Sequence, residues 1–158
     1  MSTAYESARF TVQVQRIATK ANQLSLVAIR IREALRRGIE AGICSSLSSS
    51  LHDSSTDVVL NFAISTLHGM VECVFDQAFK DDELVGRYRF FVIEKLPGDQ
   101  VTATEVWAIL FTEGSEVTLD TSTSFGWSID INEAVTIKFV ENFLITLHAK
   151  LQANLPRY

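Results

Sequence analysis

Proline is nearly absent from this chain of 158 residues: it occurs only at Pro97 and Pro156, so none interrupts the first half of the sequence. Cysteine is as scarce. Cys44 and Cys73 lack the paired spacing of a zinc site and are too few for a disulfide framework, the pattern of a protein with reduced thiols. The three histidines, His52, His68 and His148, are scattered, and none of the seven glycines belongs to a phosphate-cradling loop. No run of about 18 uncharged apolar residues exists, so no membrane-spanning helix is expected. The first ten residues include Glu6 and Arg9 and no apolar run, unlike a secretory signal, and the expected location is the cytoplasm.

What the chain does have is core-building material. With 47% hydrophobic and 21% charged residues, it can bury the core of one domain. The formal net charge of −5 and the pI near 5.2 disfavour nucleic acid as a partner. Only Arg30, Arg32, Arg36 and Arg37 cluster.

Phe10, Val14, Ile17, Ala21, Leu24, Ala28, Ile31, Leu35 and Ile39 recur at steps of four and three, a heptad seam that predicts a long helix over about 5–43. Gly38 and Gly42 suggest fraying and a C-cap at its end, where the arginines suit the helix dipole. Val12, Leu26, Val27, Ile29 and Ile43 lie off the seam, so the helix is apolar on more than one side: either it runs through the domain core, or part of it meets a partner chain. The surface expected to bind it comprises Leu24, Val27, Ile31 and Leu35, together with Arg30 and Arg36. A symmetric homodimer through the same seam is compatible with this reading.

Residues 45–55 are serine-rich and predict a loop. Ser55 or Thr56 then reads as the cap of a second helix over 57–80, with Val59, Phe62, Ala63, Leu67, Met70, Val74, Phe75 and Ala78 as its buried stripe and Gly69 in its middle. After Asp81-Asp82-Glu83 the period becomes extended. Strands are expected within 85–120: a hairpin turning at Leu96-Pro97-Gly98-Asp99, with Val101, Ala103, Trp107, Ile109 and Phe111 on one face of its second strand, and a third strand over 116–120. Trp127 to Ile131 reads as a short edge strand. Asp130 with Glu133 resembles a capping box for a last helix over 132–153. The expected fold is a single α+β domain spanning 1–158, a small antiparallel sheet (hairpin plus third strand) packed with three long helices.

Chemistry-bearing residues do not gather along the sequence. His68 and Glu72 stand four apart, too few for a metal site. His52-Asp53 lies among serines but without the rigid turn of a nucleophile. Asp81-Asp82-Glu83 has no calcium-loop context. An enzyme would need His68, Glu72 and Asp120 to converge in one pocket. No catalytic, metal or cofactor residues are expected.

Phe91-Val92-Ile93-Glu94, leading through a turn to Glu105-Val106-Trp107, resembles the hairpin of HORMA domains, and the order helix, loop, helix, hairpin, helix is similar to their core. The resemblance implies a HORMA-like core and an adaptor without catalytic residues. In the bacterial antiphage signalling type, such an adaptor activates a nucleotidyltransferase that makes a cyclic second messenger, and an AAA+ ATPase switches it off. A second HORMA-like protein is a further implied partner. The C-terminal safety belt of that family is not recognisable before Tyr158, and no peptide-binding residues carry over. The alternative is a dedicated chaperone or immunity protein masking one basic partner.

Overall fold

The segment expected to be the second long helix is built as strands. In the computed structural model, which describes residues 3–54, 58–129 and 132–158, the elements are α1 (Thr3–Glu40), β1 (Ser50–Asp53), β2 (Phe62–Thr66), β3 (Gly69–Lys80), β4 (Glu83–Leu96), β5 (Gln100–Phe111), β6 (Glu116–Thr118), β7 (Trp127–Ser128) and α2 (Glu133–Ala153). The strands form one antiparallel half-barrel sheet in chain order, β1 through β7, each hydrogen-bonded to its sequence neighbour. Two long helices and seven strands thus replace the expected three helices on a small sheet.

The physical reason lies in residues 62–80. Phe62, Ile64, Val71, Cys73 and Phe75 alternate and meet across the β2–β3 pair, with Phe62 opposite Cys73 and Ile64 opposite Val71. A segment apolar on both faces satisfies helical and extended periods alike. β-Branched and aromatic residues then favour strand. Gly69 decides the matter: its φ of +114° lies where other residues are rare, and it closes the tight Leu67-His68 turn rather than sitting inside a helix. A second tight turn, Asp81-Asp82, with φ of 50° and 63°, joins β3 to β4.

The serine-rich stretch also holds a strand. β1 pairs with β2, Leu51 opposite Ile64, and Arg32 anchors it by donating to Asp53 Oδ1 at 2.9 Å and to the Val59 carbonyl at 3.0 Å. The expected caps at Ser55, Thr56 and Asp130 lie outside the described residues. Asn132 caps α2, its Oδ1 accepting from the Val135 amide at 2.9 Å.

In the β4–β5 ladder, Phe90 faces Trp107 but Phe91 faces Glu105, leaving Val106 as the extra residue of a bulge. Side chains beyond the bulge therefore change sides. Val101 and Ala103 turn away from the face that carries Trp107, Ile109 and Phe111, which corrects the single face expected for β5.

Both helices pack on that one face. Leu24, Ala28, Ile31 and Leu35 of α1 and Phe139, Phe143, Leu144 and Leu147 of α2 are buried with Phe62, Cys73, Tyr88, Phe90 and Ile109 of the sheet. Each such side chain contributes roughly 1.5–3 kcal/mol by leaving water. Phe143 lies against Phe90 and Trp107, with ring centroids 5.5 and 5.1 Å apart. α1 crosses α2 at Gly38, where a Cβ would come within 2.6 Å of Val140 Cγ1, so this glycine marks a helix crossing rather than a frayed end. Tyr88 ties α1 to the sheet: its hydroxyl donates to the Leu60 carbonyl at 2.8 Å and stands 3.3 Å from that of Ala28. Burial pushes the Tyr88 phenol well above its ordinary range. Removing the hydroxyl takes this donor from the part-buried Leu60 carbonyl. Tyr88→Phe is expected to cost about 1–3 kcal/mol, read in a thermal melt as a loss of about 2–4 °C per kcal/mol for a chain of this size.

Candidate interaction surface

The fold sets His68, Glu72 and Asp120 apart from one another, and it brings His68 beside His148, their ring centroids 6.2 Å apart. His68 sits in the β2–β3 turn, 3.4 Å from Gln152 Nε2. Glu72 lies on the opposite face of the sheet, where Ser54 donates to its carboxylate at 2.7 Å. Asp120, in the connection after β6, accepts from the amide and hydroxyl of Ser122, which hold its carboxyl below the usual range. His148 is buried on α2, its Nδ1 donating to the Leu144 carbonyl at 2.8 Å. His52 contacts the Ser50 hydroxyl at 2.9 Å. Cys73 is fully buried and Cys44 partly so, and burial pushes both thiols up. Among the described residues no three metal-ligating side chains gather, and no helix is long and apolar enough to cross a membrane.

The residues expected on a partner surface divide sharply. Leu24, Val27, Ile31 and Leu35 are no more than 1% exposed and lie in the core of the chain. Arg30 donates to the Ser115 hydroxyl at 3.0 Å, tying α1 to the β5–β6 turn. Arg36 is held between Glu33 and Glu40 on α1 itself, which pushes its guanidinium further up and the Glu33 carboxyl down. The arginine cluster is thus engaged within the molecule. The convex face of the sheet is similarly self-satisfied: Asp76 pairs with Arg87 at 2.7 Å and with Arg89 at 3.1 Å, and Arg89 covers the Phe91 ring at 5.2 Å.

Exposed apolar side chains stand scattered at Val59, Leu67 and Val101 and in a row along the first half of α1. Every residue from Thr3 to Arg16 is exposed, an arm of about 21 Å at 1.5 Å per residue. Tyr5, Phe10, Val12 and Val14 are 72%, 69%, 64% and 49% exposed. Phe10 and Val14 continue, in register, the heptad stripe that Leu24, Ala28 and Ile31 bury under the sheet. Tyr5 and Val12 lie seven apart on another side. Where the arm meets the body, Arg16, Ile17 and Lys20 of α1 and Phe79, Glu83 and Leu84 around the β3–β4 turn line a cleft of about 730 Å³. Lys20 donates to Glu83 there, and its charge, with that of Arg16, holds the Glu83 carboxyl below its usual range. Phe79 stands 64% exposed at the edge of this cleft.

None of the six residues expected to bind a partner lies on this surface. Val12 off the seam was its signal, but nothing in the heptad pattern distinguishes the covered half of the helix from the bare half. Phe79 was missed, because its place at a hairpin tip depends on β3 being a strand.

These features define an α–β–α protein in which two helices fill one face of a seven-stranded meander and one helix overruns it. No family model, curated protein or solved structure matches the chain.

Proposed function

We propose that this chain is a non-catalytic protein-interaction subunit working in the cytoplasm, with the overrunning arm of α1 as its contact surface. One observation carries the reading: four large apolar side chains, Tyr5, Phe10, Val12 and Val14, stand between 49% and 72% exposed on a single projecting helix. A helix of about 14 residues is marginal in water on its own, and β-branched Thr11, Val12 and Val14 make it more so. Apolar cover would supply what the arm lacks. The dispersal of His68, Glu72 and Asp120 over separate elements also favours interaction over catalysis. The reading does not rest on the HORMA resemblance, whose order of elements includes a second long helix that this chain builds as β2 and β3. The nucleotidyltransferase and ATPase partners implied by that resemblance are not carried into it.

The test is site-specific photo-crosslinking in intact cells, with benzoylphenylalanine placed at Phe10 or, as a control, at Val101, which is 59% exposed on the β4–β5 hairpin. A discrete product from position 10 and none from position 101 is expected. No product from position 10, or the same smear from both, removes the arm as a contact surface.

A further inference from the structure

We draw no further inference here: the strongest candidate, the cleft at the β3–β4 turn where Phe79 stands beside the exposed arm of α1, carries nothing, because no feature of the structure shows what covers it.

Discussion

Ile31→Glu is expected to unfold the chain. Ile31 is 0% exposed, on the face of α1 that lies in the core, and among the described residues no lysine or arginine is buried. The substitution removes a buried aliphatic side chain, a loss of about 2–5 kcal/mol, and leaves an uncompensated charge in its place, a further cost of about 3–5 kcal/mol. Together these match the 5–15 kcal/mol by which domains are typically stable. Circular dichroism should show the cooperative melt lost or shifted below room temperature. The same change at Phe10, on the same stripe three heptads earlier, should leave the melt in place and act only on association. A folded Ile31→Glu protein that merely failed to associate would mean that α1 does not sit against the sheet as described.

The second large effect is expected at Gly86. A Cβ there would stand 2.2 Å from Phe111 Cε2 and 2.5 Å from its Cζ, because the Phe111 ring lies across the β4 backbone. The ring cannot give way easily: it is fully buried, stacked with Phe75 at 6.0 Å and packed beside Tyr88 at 5.8 Å. Gly86→Ala is expected to cost about 1–3 kcal/mol by overpacking, and larger side chains more. A smaller residue at position 111 should relieve it. Phe111→Leu destabilises on its own, but in the Gly86→Ala background it should cost less than in the natural chain, and this coupling in a double-mutant cycle is the readout. Strict additivity would show that the two positions do not touch.

The contrast between Ile31 and Phe10 also bounds what the sequence could say. The heptad seam predicted α1 to within three residues at either end, and the extended stretch with its Leu96-Pro97-Gly98-Asp99 turn predicted β4 through β6 and the edge strand at Trp127, while the hydrophobic period gave no sign of the side change within β5. It was ambiguous over β2 and β3. Ala63 and Val74 make the outer face apolar as well, and Phe62, Ala63, Leu67, Met70 and Val74 then fit a helix as readily as a strand. β1 was hidden for the opposite reason, since Leu51 is its one apolar residue and its stability comes from β2 and Arg32 rather than from itself. The Val106 bulge, too, is invisible to alternation alone. As for the site, the seam marked a helix face in need of cover, and only the extent of the sheet decides which half the chain covers for itself.

The strict chain order of the strands has a consequence for how the protein is made. Each strand pairs with the one synthesised just before it, so the sheet can zip up hairpin by hairpin from local contacts, the kind of topology that folds fast. The α1–α2 contact, by contrast, joins the two ends of the chain. Until α2 leaves the ribosome, Phe90 and Trp107 have no Phe143 to cover them, and the nascent sheet presents a bare aromatic face. That interval, closed only when the last 21-residue helix docks, is when this chain is most exposed to misassociation and to chaperone capture.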